Sequence, residues 1–219
     1  MKRRITFALF CTILSLGIAS LAGATKLTAT HYEVKLKSAS FGDMGVRKMW
    51  VAGDKMLWEG KSDRLPLRLV KNDKGAFIIH PWHKIAGQYP KGSNRANPMV
   101  LLPGPIGPVK VFLKSMNAAK QGSTKLKSEM CDVYSYTETA TNRKCKLWVG
   151  VKSGKPVQLL LQGKKHQQDT ITATYTKFVV AETVSSSIFD LPSGYAVRPM
   201  PRERLASKPT PKPSSKKGI

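Results

Sequence analysis

Histidine, serine and acidic side chains could carry catalysis or hold a metal ion, but in this chain none falls in a pattern typical of either role. His80 and His83 flank Trp82, and no acid or cysteine close by completes the tetrahedral set that zinc prefers. The sequence contains no Gly-x-Ser-x-Gly segment, the motif that presents a nucleophilic serine. The acids mostly stand in turn sequences, where aspartate caps its own backbone. We therefore expect no catalytic residue, no metal ligand and no cofactor.

Two cysteines, Cys131 and Cys145, lie outside the N-terminal apolar run and flank a predicted hairpin centred near Glu138. Residues 133–136 read as its first strand, and residues 145–151 alternate between apolar and polar side chains. The N-terminus reads as an export signal, and disulfides persist in exported proteins. The pattern therefore predicts a disulfide between the two cysteines, which would constrain the unfolded chain by roughly 3 kcal/mol. Two buried free thiols are the alternative.

One segment has the apolar spacing of an amphipathic helix, and it supplies candidates for contact with an apolar ligand. Pro108 suits the first turn of a helix, and Gly122 suits its end. Between them four apolar residues recur at i, i+3, i+4 and i+7, namely Val109, Phe112, Leu113 and Met116. We predict a helix from Pro108 to Gln121 whose apolar stripe either packs on a sheet or covers a cavity.

Two tryptophans on predicted strands, Trp50 and Trp58, are the other candidates for ligand contact. They stand on either side of Gly53-Asp54, a pair typical of a tight hairpin turn. Large aromatic side chains on half-buried strands usually fill a core, yet an open barrel uses the same side chains to line a cavity. Both interpretations of Trp50 and Trp58 are open at the level of sequence.

Short apolar segments separated by turn sequences surround these candidates. The first such segment, residues 31–37, alternates between apolar and polar side chains. Turn sequences recur at residues 53–54, 72–75 and 152–155. Strands at spacings of about ten residues predict an antiparallel sheet in meander order. We therefore expect a mainly β domain with one helix.

The two ends of the chain read as a targeting segment and a tail. Residues 1–24 combine a basic start, an apolar run and a small-x-small pattern, as in a cleavable signal peptide. An uncleaved membrane anchor is the alternative. Residues 198–219 are rich in proline, serine and lysine and predict a disordered basic tail. Residues 25–197 between them have the length of one domain, which we expect in the periplasm.

The chain carries 37 lysines and arginines against 13 acids, a formal net charge of +24. A surface this basic attracts anionic lipid head groups and other polyanions of the cell envelope. Export, together with the absence of a stacking-aromatic motif, argues against nucleic acid as a partner. An anionic membrane surface and other envelope polyanions are therefore the partners that the charge favours, and a merely solubilising surface is the alternative.

Three segments in this order and at these separations carry a family resemblance. They are Met49-Trp50-Val51-Ala52-Gly53-Asp54-Lys55-Met56; Cys131-Asp132-Val133-Tyr134 with Lys146-Leu147-Trp148-Val149 and Gly154-Lys155-Pro156-Val157; and Ile188-Phe189-Asp190-Leu191-Pro192-Ser193-Gly194-Tyr195. Together they resemble the exported lipoprotein-carrier-like family related to the Lol outer-membrane lipoprotein-sorting proteins. The match spans about residues 31–197, and residues 90–108 have no counterpart in it. The resemblance implies a curved antiparallel sheet forming an unclosed β-barrel, with a covering helix over an apolar concave face that holds acyl chains.

On this resemblance we expect a non-enzymatic, monomeric binder or carrier of a lipid or lipidated protein. Trp50, Trp58 and the helix stripe would then contact the acyl chains. The alternative is a structural or interaction protein of the envelope, with a filled core and a cationic surface for anionic polymers or membrane. A lined hollow would distinguish the carrier from the scaffold.

Overall fold

The computed structural model describes residues 25–62, 65–93, 104–139, 142–163 and 169–201. The predicted signal peptide, residues 1–24, and residues 202–219 of the predicted tail lie outside the described residues.

Strands dominate the described part of the chain, where twelve of them join in one sheet. A single α-helix, α1 (Val109–Ser115), and two short 3₁₀ helices, Pro81–His83 and Ser186–Phe189, complete the elements considered below. The strands are β1 (Lys26–Ser38), β2 (Gly42–Ala52), β3 (Lys55–Ser62), β4 (Leu65–Asn72), β5 (Gly75–His80), β6 (Ile85–Gln88), β7 (Ala119–Leu126), β8 (Glu129–Glu138), β9 (Arg143–Gly150), β10 (Pro156–Leu161), β11 (Ile171–Ser185) and β12 (Ala196–Pro199).

The sheet is built from two runs of sequential hairpins, β1 to β6 and β7 to β11, that meet in its middle. Its order is β12-β6-β5-β4-β3-β2-β1-β11-β10-β9-β8-β7. The long strands β1 and β11 join the runs, with a register from Lys26 opposite Ser185 to Ser38 opposite Ile171. Neighbouring strands are antiparallel except for β12, which runs parallel to β6. The sheet is curved and unclosed and carries one helix, so the predicted fold class is confirmed.

The face of the sheet on which α1 packs, called the helix face here, is one continuous apolar surface. Residues paired across antiparallel strands point to the same side of the sheet, so a row of paired residues across several strands lies on one face. One such row crosses β1 to β4 and consists of Tyr32, Met49, Trp58 and Leu69. Strands β8 to β11 add further buried apolar side chains to the same cluster. The helix face therefore extends across both halves of the sheet.

The opposite face, called the C-terminal face here, has a smaller apolar cluster of its own. Leu57, Val70 and Ile79 are buried in it, and Phe189 from the second 3₁₀ helix packs against them with no exposed surface. Asn72 also fixes this segment, because its side-chain amide donates to the Phe189 carbonyl oxygen at 2.8 Å. The closing segment of the domain thus covers this face and leaves the helix face to α1.

Helix α1 is half as long as the predicted helix from Pro108 to Gln121. It ends because Asn117 adopts a left-handed conformation, with φ of 47°. The Asn117 and Ala118 amides donate to the carbonyl oxygens of Lys114 and Leu113, which is the hydrogen-bond pattern of a Schellman motif. The chain then enters strand β7, and Gly122 lies inside that strand rather than at a helix end. No helix within the described ranges is long and apolar enough to cross a membrane.

The folded chain continues past the predicted domain boundary at residue 197. Strand β12 includes Arg198 and Pro199, and the Met200 amide donates to the Gln88 carbonyl oxygen at 2.8 Å. Met200 also packs against Gly87, where its side chain would meet any added Cβ. The described fold therefore includes Met200.

Candidate functional site

Residues 104–116, called the cover here, lie on the helix face and bring the predicted helix stripe onto it. Val109 and Phe112 are 6% and 7% exposed, and Leu113 and Met116 are half-buried against the same apolar cluster. The Phe112 ring meets the Tyr136 ring of β8 edge-on, with centroids 5.3 Å apart. Such aromatic pairs contribute about 1 kcal/mol beyond their buried area. All four predicted residues of the stripe therefore belong to the apolar cluster of the helix face or pack against it.

The start of the cover approaches the sheet closely above Tyr175. An added Cβ at Gly104 would collide with the Tyr175 hydroxyl and press on Leu159, so only glycine fits there without movement. The Tyr175 hydroxyl is buried and has no hydrogen-bond partner among the described residues. Burial raises the pKa of Tyr175, so this hydroxyl stays protonated. The Tyr175 hydroxyl is thus a buried polar group of the helix face without a hydrogen-bond partner among the described residues.

Two clefts open beside the cover. The first, called the Lys71 cleft, has a volume of about 850 Å³ and reaches Ile106 just before α1. The second, called the Met116 cleft, has a volume of about 840 Å³ and lies at the end of α1 against β8 and β9. Met56 lines the first and Tyr136 the second, and both belong to the apolar cluster of the helix face. Both clefts therefore border the helix face.

These clefts open at opposite ends of the sheet. The β2–β3 turn, which lines the Lys71 cleft, lies beside the start of β1 and hence beside the end of β11. Thr139, after the end of β8, lines the Met116 cleft, and the β8–β9 turn lies near the start of β11. The two clefts therefore lie toward opposite ends of the strands.

The two candidate tryptophans lie on opposite faces of the sheet. Trp58 is on the helix face, and the Arg47 guanidinium sits over its ring, 5.6 Å from the centroid. Trp50 is paired with Leu57 and lies on the C-terminal face, where its ring stacks on His31 with centroids 4.2 Å apart. Of the two, only Trp58 shares a surface with α1.

The predicted disulfide is wrong: Cys131 and Cys145 are both buried free thiols. Cys131 is opposite Gly150 and Cys145 is opposite Tyr136, so five positions along β9 separate the two cysteines in register. At about 3.4 Å per residue this offset is roughly 17 Å, whereas a disulfide needs Cα atoms within about 7 Å. The turn follows Glu138 instead of being centred on it, and the cysteines are therefore not equidistant from the turn.

A buried histidine that carries no signal in the sequence lies on the C-terminal face. His31 is 4% exposed, and its Nδ1 atom is hydrogen-bonded to the Glu182 carboxylate, which also accepts from Lys177 Nζ at 3.0 Å. Burial lowers the pKa of His31. Burial raises the pKa of Glu182, but the hydrogen bonds from Lys177 and His31 outweigh it and leave that pKa below its usual value. His80 and His83 are exposed, and no three potential metal ligands of the described chain converge on one point.

Comparison with known proteins gives matches in structure alone. No family model and no curated protein sequence matches the chain. An uncharacterized conserved protein from Thermus thermophilus has a TM-score of 0.51, with 7% identity over 78% of this chain and 90% of that one. LprF from Mycobacterium bovis has a TM-score of 0.42 with 12% identity, over 78% of this chain and 90% of that one. A LolA superfamily protein from Nitrosomonas europaea has a TM-score of 0.33 with 8% identity, over 77% and 91%.

The likeness to the Thermus protein shows that the chain shares its fold.

Proposed function

We propose that this protein is a non-enzymatic binder or carrier of a lipid or lipidated protein, and that it holds an acyl chain on the helix face beneath the cover. The observation that carries the proposal is a continuous apolar face, covered by one short helix and adjoining a cleft at each end of the sheet. Transfer of an acyl chain from water to such a surface contributes about 0.8 kcal/mol per methylene. The contacting residues would be Trp58, Val109, Phe112, Leu113 and Met116.

The shortness of α1 supports a cover that yields to a ligand. Seven residues are too few for a helix to be stable alone in water, so α1 depends on the contacts of its apolar stripe. An acyl chain offers those side chains an equally apolar surface. Insertion of a chain beneath the cover would therefore replace its contacts rather than abolish them.

The compartment and assembly form part of the same proposal. The signal-peptide pattern of residues 1–24 favours export to the periplasm, where the protein would act as a monomer. The basic residues of the domain and of the tail would hold it near anionic membrane surfaces.

The test compares two glutamate substitutions on the two sides of α1. Leu113→Glu places a carboxylate against the helix face, whereas Val111→Glu places the same charge on the outer side, where Val111 is 64% exposed. Removing a carboxylate from water without a partner costs a few kcal/mol. Leu113→Glu should therefore weaken binding of a fluorescent fatty acid by about tenfold or more and lower stability by about 1–3 kcal/mol. Val111→Glu should change neither by a measurable amount.

The opposite results would point to the scaffold. A scaffold also loses stability on Leu113→Glu, but it has no acyl affinity to lose. An unmodified protein that binds no acyl probe at micromolar concentration would therefore contradict the proposed function. So would equal losses of probe affinity for the two variants.

A further inference from the structure

The Lys71 cleft brings together lysines from three different turns of the sheet. Lys55 follows the β2–β3 turn, Lys71 precedes the β4–β5 turn, Lys74 lies in that turn, and Lys91 follows β6. Two aspartates, Asp54 and Asp73, line the cleft as well, so four lysines against two aspartates leave an excess of two positive charges.

Three of these four lysines have no counter-ion among the described residues. Lys55 is paired with Asp73, with Nζ and the carboxylate oxygen 3.0 Å apart. The ammonium groups of Lys71, Lys74 and Lys91 make no hydrogen bond or ion pair with a described residue. Lys74 and Lys91 are exposed, but Lys71 is half-buried. A half-buried lysine whose ammonium group has no carboxylate partner among the described residues favours an anion from outside the chain.

The position of Lys71 connects this charge to the apolar surface. Lys71 is paired with Met56 on one side and Ala76 on the other, and paired residues point to the same face. Met56 is buried in the cluster of the helix face, so Lys71 lies on that same face, at its rim. Tyr89 and Ile106 also belong both to the cleft wall and to the surroundings of the cluster. The cleft therefore has a cationic rim and an apolar floor that continues beneath the cover.

A cationic rim beside an apolar floor suits a lipid with an anionic head group. This inference rests on the proposed function, in which an acyl chain lies on the helix face. We propose that the Lys71 cleft binds the phosphate-bearing head group of a lipid whose acyl chain lies on the helix face. A fatty-acid carboxylate is too small to reach lysines spread around about 850 Å³, whereas a phosphate with its glycerol or sugar can. Lysine is a common phosphate ligand because its ammonium group donates three hydrogen bonds and carries a full charge.

The test uses two lipids that share one fluorescent acyl chain and differ in the head group. Lysophosphatidic acid carries the phosphate, and the monoacylglycerol lacks it. The wild-type protein should prefer lysophosphatidic acid by about tenfold at physiological salt, since three solvent-accessible ion pairs of ordinary strength give a factor of that order. The triple variant Lys71→Gln, Lys74→Gln, Lys91→Gln should lose this preference while keeping its monoacylglycerol affinity within about twofold.

A control variant removes the same number of charges elsewhere. Lys37→Gln, Lys125→Gln, Lys152→Gln changes three exposed lysines that do not line the cleft. It should retain the preference for lysophosphatidic acid. A similar loss in both triple variants would show that net charge, rather than this cleft, selects the phosphate and would overturn the inference.

The remaining outcomes separate the head-group site from the proposed function. If both lipids bind the wild-type protein equally and the cleft variant changes neither affinity, the head-group site is wrong and acyl binding stands. If neither lipid binds, acyl binding itself fails. Inorganic phosphate is titrated against the same proteins. A wild-type protein that binds phosphate through the cleft lysines but does not discriminate between the lipids would have a site for free anions, which would overturn the lipid assignment.

Discussion

Tyr175→Phe should make this protein more stable, although it removes a polar group from an otherwise well-packed site. The Tyr175 hydroxyl is buried on the helix face under Gly104 and has no partner among the described residues. An unsatisfied buried hydroxyl costs about 1–3 kcal/mol relative to its hydrated state, and phenylalanine keeps the ring and its packing. Part of this penalty is offset by lost contacts, so we expect a gain of about 1 kcal/mol.

Tyr32→Phe is the matched control, because Tyr32 lies in the same cluster and its ring is 5.9 Å from that of Tyr175. The Tyr32 hydroxyl does have a partner, since it donates to the Met49 sulfur at 2.8 Å. Removal of the Tyr32 hydroxyl should leave stability unchanged or lower it by less than about 0.5 kcal/mol, because sulfur is a weak acceptor.

The assay is unfolding in urea, followed by tryptophan fluorescence for both variants and the wild type. With a slope of about 2 kcal/mol per molar urea, the expected gain for Tyr175→Phe moves the midpoint upward by roughly 0.5 M at an unchanged slope. A midpoint that falls would show that the hydroxyl is hydrogen-bonded in the folded protein, and the reasoning would be refuted. If the hydroxyl contacts a polar atom of the ligand, the more stable variant should also bind acyl probes less tightly.

Two further predictions concern the cysteines and the pH dependence of stability. Cys131 and Cys145 should both be alkylated in non-reduced, denatured protein. In the folded state they should react slowly, because both are buried and burial raises the pKa of Cys145 to about 11. A mass spectrum showing neither cysteine alkylated after denaturation would contradict the free thiols. Stability should fall as the pH drops below about 6.5, because burial holds the pKa of His31 below its unfolded value and the unfolded chain then binds more protons. His31→Gln should flatten this decline and the exposed His83→Gln should not, as measured by urea unfolding at pH 7 and pH 5; equal slopes in the two variants would count against this assignment.

Local patterns in the sequence account for much of the fold. The alternation in residues 31–37 predicts β1, and the Gly53-Asp54 pair predicts the β2–β3 turn, because both signals act within a few neighbouring residues. The pairing of β1 with β11 could not be predicted in this way. It joins residues some 150 positions apart, and no local preference encodes such a contact.

The parts of the candidate site that were not predicted from the sequence have identifiable reasons. In the two-residue turn at Gly53-Asp54, Ala52 is opposite Lys55, and counting outward along the hairpin sets Trp50 opposite Leu57 rather than Trp58. The sequence therefore contained the signal that separates the faces of the two tryptophans. Asn117 was a weaker sequence signal for the end of α1, because asparagine adopts the left-handed conformation only in a minority of its occurrences. The Lys71 cleft arises from three separate turns and has no motif in the sequence.

Photocrosslinking with a diazirine-bearing fatty acid tests the central claim most directly, because it reports where the acyl chain lies. After irradiation and peptide mapping by mass spectrometry, labels should fall on the helix face and the cover, at residues such as Met49, Met56 and Phe112. Excess unlabelled fatty acid should remove them. Labels confined to the C-terminal face around Trp50, or no label that unlabelled fatty acid displaces, would contradict acyl binding beneath the cover.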